Sequence, residues 1–284
     1  MKNPPLILGK IAESTLTRVE KAKKLLPLEQ IKKLYHKGAQ KINNDNPPSA
    51  PSSPLWLKKN PLSFKNALAA QGLSFICEVK KASPSKGIIS ENFPWMQIAK
   101  EYEEGGAAAI SVLTEPEFFL GSDQYLREIS AAVKIPTLRK DFIIDAYQLY
   151  EAKLWGAKAA LLICALLEPE TLSAFLSTAG ELDLDCLVEI HSEEEAEEAI
   201  AAGARIIGIN NRDLTTFQVD TGLTSRLRKR IPEGVLTVAE SGINCADDIR
   251  ALKDSGVDAV LIGESLMRSS NKKLFLQELL SAAN

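Results

Sequence analysis

The feature that most constrains the fold is an alternation of short apolar runs with helix-like segments over residues 75–265. Helix-like stretches such as PWMQIAKEYEEGG and PETLSAFLSTAG separate the runs. Strands that alternate with helices predict a parallel sheet, because each helix carries the chain back to begin the next strand. The predicted strands are residues 75–79, 110–114, 135–142, 159–166, 186–191, 206–210, 235–241 and 259–265.

An internal repeat indicates whether the parallel sheet is a closed barrel or an open sheet. The segments GGAAAISVL, GAKAALLI, GARIIGI and GVDAVLI each end a helix with glycine and then begin a strand, and their markers Gly106, Gly156, Gly203 and Gly256 are 50, 47 and 53 residues apart. Glycine suits the left-handed position that stops a helix. Each interval holds two βα units, so the sequence predicts an α/β protein with a (β/α)8 TIM barrel. A doubly wound open sheet is the alternative, but no GxGxxG follows the first strand.

The amino-terminal part of the chain differs from the repeat. Residues 6–42 are basic and helix-prone with a break at Pro27, and NPPSAPSSP at 46–54 is typical of a loop or linker. We therefore expect two parts: an N-terminal helical extension with a Pro/Ser-rich loop over residues 1–60, and the barrel catalytic domain over residues 61–284.

Composition excludes several classes of function. A net charge of −3 gives no general attraction to nucleic acid or to an anionic membrane. Four cysteines without paired spacing and two histidines do not form a metal-binding pattern, and thiols within apolar runs favour a reducing compartment. No apolar run is long enough to span a membrane. We expect a cytoplasmic protein with no metal or cofactor and no nucleic acid or membrane partner, and the sequence does not predict its protein partners.

Polar and charged residues gather where the predicted strands end, which is where TIM barrels place their active sites. Glu78 and Lys80 are two residues apart and so share one face of a strand, as do Asn210 and Arg212. Charges that converge on a barrel mouth predict an active site. The alternative is a set of solvated rim groups or structural ion pairs. The other strand-end residues are Arg139, Lys140, Asp141, Glu189, His191, Asn211, Glu240, Ser241, Gly242, Gly263, Glu264 and Ser265.

The last two strands carry a separate signal for an anionic ligand. AESGI and LIGES each place small residues where a strand turns into a helix, and the exposed N–H groups of such turns bind phosphate. The loops after strands seven and eight are the frequent phosphate site of TIM barrels. The pair of turns therefore predicts a phosphate-bearing ligand.

Taken together, these stretches resemble the indole-3-glycerol phosphate synthase family over residues 62–280. The resemblance lies in FICEVKKASPSKG, VLTEPEFFLGS, PTLRKDFIID, LVEIH, IGINNRDL, AESGI and LIGESLM, which follow the family's order. It implies a TIM barrel whose amino-terminal extension covers the mouth. It also implies a lyase of tryptophan biosynthesis that needs no cofactor. The implied substrate is 1-(2-carboxyphenylamino)-1-deoxyribulose 5-phosphate, a small anion, and the products are indole-3-glycerol phosphate, CO2 and water.

The resemblance also implies a role for each matching residue. Lys140 is the general acid for ring closure, Lys80 binds the substrate and can act in the later dehydration, and Asn210 orients the substrate. Glu78 and Glu189 are catalytic carboxylates, and how they and Lys80 divide the acid and base roles stays open. The implied substrate-binding residues are Ser83, Phe119, Phe142, Arg212 and Glu240, and the implied phosphate-binding residues are Ser241, Gly242, Gly263 and Glu264.

Some of these positions need comment. Ser83 is also expected near the phosphate, and the two phenylalanines against the aromatic ring. Glu264 stands where some family members have serine, so we expect its side chain to turn away while its backbone N–H contributes.

Two other functions compete with this interpretation. Phosphoribosylanthranilate isomerase is another phosphate-binding barrel, but its chemistry is assigned to a Cys and an Asp, whereas Glu78 and Lys80 end the first strand here. A barrel kept only for ligand binding would lack the strand-end charges, and each implied position holds a residue able to act.

Overall fold

The computed structural model describes residue 2, residues 5–43 (side chains to residue 35) and residues 63–283, and it has the predicted TIM barrel. Eight parallel strands close on themselves, with each strand beside its neighbours in sequence and the last beside the first. The strands are β1 Ser74–Val79, β2 Ala109–Leu113, β3 Thr137–Lys140, β4 Ala159–Ile163, β5 Asp185–Ile190, β6 Ile206–Asn210, β7 Leu236–Glu240 and β8 Ala259–Ile262.

Helices surround the barrel and precede it. They are α1 Leu6–Leu25, α2 Leu28–Asn43, α3 Phe64–Leu68, α4 Trp95–Gly105, α5 Asp123–Ala132, α6 Tyr147–Leu154, α7 Pro169–Glu181, α8 Glu193–Ala201, α9 Leu223–Arg228, α10 Ala246–Asp254, α11 Glu264–Arg268 and α12 Lys272–Ala283. The predicted N-terminal helices with a break at Pro27 are present as α1 and α2. The predicted linker at 46–54 and the boundary between residues 60 and 61 lie outside the described residues. Within the described part of the chain, no helix is long and apolar enough to cross a membrane.

Local sequence signals account for the ends of these elements. Ser122 and Ser192 accept hydrogen bonds from backbone N–H groups at the starts of α5 and α8, as N-caps do. All four repeat glycines have positive φ, and Gly106 caps α4 at φ 103°. Four strands are shorter than predicted, because β4 ends at Ile163 and β7 spans only Leu236–Glu240, in addition to β3 and β8. β3 spans only Thr137–Lys140, and β8 stops at Ile262 because the chain turns there into α11.

The N-terminal helices are packed onto the barrel. Leu8 and Ala12 of α1 are buried in the main core, while Val19 and Ile31 pack with Tyr147 of α6. The Tyr147 hydroxyl donates a hydrogen bond to the carbonyl of Leu26, 2.9 Å away. These contacts of the N-terminal helices hold α1 against the barrel.

Candidate active site

A cavity of about 560 Å³ opens at the carboxyl ends of the barrel strands. Leu161, Ile163 and Leu261 give it an apolar floor, and Ile7 and Ile11 of α1 line its wall. Its volume suits a ligand of drug-like size. The predicted site residues that line it are Glu78, Lys80, Ser83, Phe119, Lys140, Phe142, Glu189, Asn210, Arg212, Glu240, Ser241, Gly242, Gly263 and Glu264. The structure therefore brings every residue to which the resemblance gave a role to one cavity, and those roles remain predictions. Four other predicted strand-end residues do not line it, namely Arg139, His191, Asn211 and Ser265.

One group of charges in the cavity is a lysine held between two glutamates. Lys140 Nζ lies 2.8 Å from Glu189 Oε2 and 2.9 Å from Glu240 Oε2. The side chains are 13%, 4% and 3% exposed, so water screens these pairs little. Burial disfavours the ammonium ion, but the charges of Glu189, Glu240 and Glu78 outweigh it and hold the pKa of Lys140 well above its usual value.

The two glutamates differ in protonation although they share one lysine. Burial would raise the pKa of Glu189, but Lys140 and then His191 hold it well below the usual range. Burial raises the pKa of Glu240 to about 7, and the negative charge of Glu189 adds to the effect against the attraction of Lys140. The pair therefore favours the ionised form of Glu189 and the protonated form of Glu240.

Glu78 and Lys80 form a second ion pair in the cavity. Lys80 Nζ lies 2.5 Å from Glu78 Oε1, and the hydroxyl of Ser111 is 3.5 Å from Glu78 Oε2. A Cβ at position 263 would come within 2.5 Å of Glu78 Oε1 and 3.0 Å of Lys80 Nζ, so glycine at the end of β8 makes room for the pair. The first strand ends in charge because its end forms a wall of this cavity.

Asn210 connects β6 to this set. Its Nδ2 donates to Glu189 Oε1 at 3.2 Å, and its Oδ1 accepts from the backbone N–H of Arg212 at 3.1 Å. The guanidinium of Arg212 lines the cavity and donates to the carbonyl of Phe217 at 3.1 Å. Asn210 and Arg212 are thus held in place before any ligand arrives.

Small residues form the side of the cavity near β7 and β8. Ser241 and Gly242 follow β7 with φ of 65° and 81°, a conformation that serine rarely adopts and that strains the backbone. A Cβ at Gly242 would approach Val219 Cγ1 to 2.5 Å. The Glu264 carboxylate pairs with Arg268 at 3.2 Å and Lys86 at 3.4 Å, which offsets its negative charge.

An aromatic pair lines another part of the cavity. The ring centroids of Phe119 and Phe142 are 5.7 Å apart with an interplanar angle of 40°. Apolar side chains of α1, including Ile7 and Leu8, belong to the same lining. This part of the site can accept a flat, apolar ring.

The sequence interpretation missed several lining residues. Ile7, Leu8 and Ile11 lie on α1, far from any strand end, and no motif marks them. Lys86, which lies within FICEVKKASPSKG, and Asn244, which follows AESGI, also line the cavity. Within the described residues, no group of three or more His, Cys, Asp or Glu side chains is arranged to hold a metal ion.

His191, considered from sequence only as a strand-end group, lies beside the carboxylates. Its Nε2 is 3.4 Å from Glu189 Oε1, and its Nδ1 is 3.2 Å from Glu195 Oε2. Burial lowers the pKa of His191, but the two glutamates outweigh it and raise the pKa to about 10. His191 is therefore an imidazolium ion at neutral pH.

Gly208 on β6 provides a test of the carboxylate geometry. A Cβ at this position would overlap Glu240 Oε1, so Gly208→Ala should push the carboxylate away from Lys140. We expect kcat to fall about 10²-fold, because a displacement of about 1 Å in the site can cost that much. Gly180→Ala is the matched control, because no atom lies within 4 Å of a Cβ there. Steady-state kinetics will give kcat for both variants. Equal kcat values would show that activity does not depend on the observed position of the Glu240 carboxylate.

Comparison with known sequences gives one family. The family model described as indole-3-glycerol phosphate synthase matches residues 28–279. The indole-3-glycerol phosphate synthase of Ruminiclostridium cellulolyticum is 52% identical over 278 residues, covering 98% of this chain and 100% of that protein. The protein of the same name from Endomicrobium trichonymphae is 53% identical over 274 residues, covering 96% and 99%.

Comparison with solved structures gives the fold. The 3-hexulose-6-phosphate synthase of Salmonella typhimurium aligns with a TM-score of 0.62 at 12% identity, covering 74% of this chain and 98% of that one. The thiamine phosphate pyrophosphorylase of Pyrococcus furiosus aligns with a TM-score of 0.58 at 18% identity, covering 77% and 96%. At these identities the likeness shows the TIM barrel alone.

Proposed function

The chain belongs to the indole-3-glycerol phosphate synthase family, a family of decarboxylating lyases of tryptophan biosynthesis, and we propose how its cavity carries out that reaction. The substrate is 1-(2-carboxyphenylamino)-1-deoxyribulose 5-phosphate, and the products are indole-3-glycerol phosphate, CO2 and water. The observation that carries the proposal is Lys140, a buried ammonium ion between Glu189 and Glu240 in the cavity.

Lys140 acts in ring closure. When the aromatic carbon attacks the substrate ketone, negative charge develops on the carbonyl oxygen, and an ammonium group can both neutralise and protonate it. Lys140 is fixed by its two glutamates, so it does not have to reorganise during the reaction. Loss of CO2 then restores the aromatic ring.

Glu78 and Lys80 are placed for the dehydration that follows. This step needs an acid for the departing hydroxyl and a base for a proton, and one ion pair contains both groups. Lys80 also attracts the anionic substrate. Asn210, which is held by Glu189 and the backbone of Arg212, orients the substrate between the two lysines.

The phosphate binds on the side of the cavity near β7 and β8. The strained turn at Ser241 and Gly242 directs backbone N–H groups to the anion, as glycine-rich strand–helix turns do. Gly263 and the N–H of Glu264 contribute from the next turn, with the hydroxyl of Ser83 opposite. Lys86 also lines the cavity, and its ammonium group both attracts the phosphate and offsets the repulsion from the Glu264 carboxylate.

The aromatic ring of the substrate packs against Phe119 and Phe142, with Glu240 and Arg212 in the same cavity. The apolar side chains of α1 exclude water from this part of the site. We assign residues 1–60 to a helical extension with a Pro/Ser-rich loop and residues 61–284 to the catalytic barrel. The lining by Ile7, Leu8 and Ile11 supports an extension that covers the mouth.

The ligand class and the cellular location that we propose follow from the charges of the cavity and from the free cysteines. The partner is a small molecule with a phosphate and a carboxylate, and Lys80, Lys86, Lys140 and Arg212 of the cavity lining supply positive charge for it. We propose no nucleic acid or membrane partner. The cytoplasm is the proposed location, supported by free cysteines at 77, 164, 186 and 245.

The proposed function is tested with purified protein, the substrate and excess EDTA, by following indole fluorescence. We expect the signal to rise at a rate proportional to enzyme concentration, with and without EDTA. No signal from folded protein that still binds the substrate would contradict the proposal and favour a barrel that only binds ligands.

A further inference from the structure

The proposed reaction consumes one proton in each turnover. The substrate enters as a carboxylate anion, and that group leaves as neutral CO2, while the ketone oxygen leaves as water. Lys140 gives its proton to the carbonyl oxygen and becomes a neutral amine. A group beside Lys140 that holds a proton at neutral pH would restore its charge without waiting for solvent.

Glu240 has the geometry of such a group. Its Oε2 lies 2.9 Å from Lys140 Nζ, within direct proton-transfer distance. Its Oε1 is buried against Gly208 and makes no hydrogen bond to any described residue. An ionised oxygen buried without a donor is costly, so this environment favours the neutral acid. The groups that face Glu240 are Lys140, Glu189 and Glu78.

Glu189 shares the same lysine but has two further partners. Asn210 Nδ2 donates to its Oε1 at 3.2 Å, and His191 Nε2 lies 3.4 Å from the same oxygen. His191 is held from its other side by Glu195, whose Oε2 accepts the His191 backbone N–H at 2.6 Å and lies 3.2 Å from Nδ1. Asp213 is the other carboxylate that faces His191. The hydrogen bond from Asn210 and the positive charge of His191 stabilise the ionised form of Glu189 and not that of Glu240.

We propose that Glu240 stores the proton that the reaction consumes and passes it to Lys140, and that His191, held by Glu195, places the proton there by keeping Glu189 ionised. In the transfer, the O–H bond of Glu240 breaks as an N–H bond forms on the Lys140 amine. Glu240 is left as a carboxylate and takes a new proton from solvent before the next turnover. His191 is a positioning residue in this scheme, which rests on the proposed function.

The charges that face Glu240 agree with this placement. They are one cation, Lys140, and two carboxylates, Glu189 and Glu78. A third carboxylate anion at the same buried place would be costly, so the neutral acid is favoured at Glu240.

The first test is the pH dependence of kcat/KM, which reports groups of the free enzyme. Wild-type activity should fall as pH rises through about 7, because Glu240 loses its proton there. His191→Asn removes the cation beside Glu189, so the proton is shared between the two glutamates. We expect kcat/KM at neutral pH to fall about tenfold, and a new acidic limb to appear as Glu189 begins to titrate.

Two variants of the same helix turn sharpen the test. Glu195→Gln removes the negative charge that lies 3.2 Å from His191 Nδ1. It should change the pH profile of kcat/KM in the same direction as His191→Asn, by a smaller amount. Glu194→Gln removes the same charge from an exposed neighbour and should leave the profile unchanged. A His191→Asn profile that superimposes on that of the wild type would overturn the role of His191.

The second test needs no turnover. Infrared difference spectra between about pH 6 and about pH 8, on either side of the Glu240 pKa, should show a protonated carboxyl group that Glu240→Gln removes. Absence of this band in the wild-type protein would overturn the proton store even if catalysis is normal. If the band is present but the substrate is not converted, the proton placement is supported and the proposed function fails.

Discussion

Replacing Lys140 by alanine should lower kcat/KM for ring closure by about 10³-fold or more. General acid catalysis contributes about 10² to 10⁴ to a rate, and loss of the ammonium group also removes its stabilisation of the developing oxyanion. Ring closure and decarboxylation would both stop, because decarboxylation follows formation of the carbon–carbon bond. Indole fluorescence at saturating substrate and at low substrate will separate kcat from KM.

Lys140→Arg is the control that separates charge from proton transfer. An arginine keeps the positive charge between Glu189 and Glu240, but its pKa is too high for it to act as a general acid near neutral pH. We therefore expect a protein that folds and binds the substrate but remains nearly inactive. Near-normal turnover in Lys140→Ala would remove Lys140 from the acid role, and recovery in Lys140→Arg would indicate that its charge alone is needed.

The barrel fold and the charged residues at its strand ends could be predicted from sequence. Both depend on local sequence pattern and on the rule that the parallel strands of a barrel end at the same edge. Alternating strand and helix segments with glycine helix stops specify βα units, and parallel strands place their carboxyl ends at one edge. Glu78 and Glu240 are far apart in the chain, yet both end a strand and therefore meet once the barrel closes. Their positions at strand ends bring the two residues together whatever their side-chain conformations.

Other features depend on how separate elements dock, which no local pattern encodes. Arg18 on α1 pairs with Asp141, 123 residues later, although nothing in either segment marks the partner. Glu189 and Glu240 have the same chemical type and both end strands, yet their pKa values move in opposite directions because only Glu189 lies beside His191. The predicted lengths of β3, β4, β7 and β8 were wrong for a similar reason, because hydrogen bonding to the neighbouring strands, and not the local sequence, determines where a strand begins and ends.

Asp141→Ala should have the largest effect on stability of any change near the site. Asp141 is buried, accepts from both Nη atoms of Arg18 at 2.9 and 2.7 Å, and lies 2.9 Å from Nη2 of Arg139. Arg139 is completely buried with its guanidinium over the ring of Trp155 at 4.2 Å, so removal of Asp141 leaves a buried cation short of a counter-charge. Breaking a buried pair in this way costs about 3–5 kcal/mol, which urea denaturation can measure.

The pH dependence of that loss identifies its cause. Burial works against the Asp141 carboxylate, but Arg139 and Arg18 outweigh it and hold its pKa well below the usual range. Its stabilisation is therefore present above the unfolded pKa of about 3.9 and is lost as pH falls through the folded value. The difference in unfolding free energy between wild type and Asp141→Ala should be full at neutral pH and shrink in acid.

Asp123→Ala is the matched control. Asp123 pairs with Arg127 at 2.9 Å, which is also the distance between Asp141 and Arg139. The side chains of Asp123 and Arg127 are about half exposed, whereas those of Asp141 and Arg139 are buried. It should cost no more than about 1 kcal/mol, since water screens an exposed pair. Burial rather than distance then determines the strength of the effect. Equal losses in the two variants, or a loss from Asp141→Ala that does not change with pH, would contradict this account and assign the effect to packing.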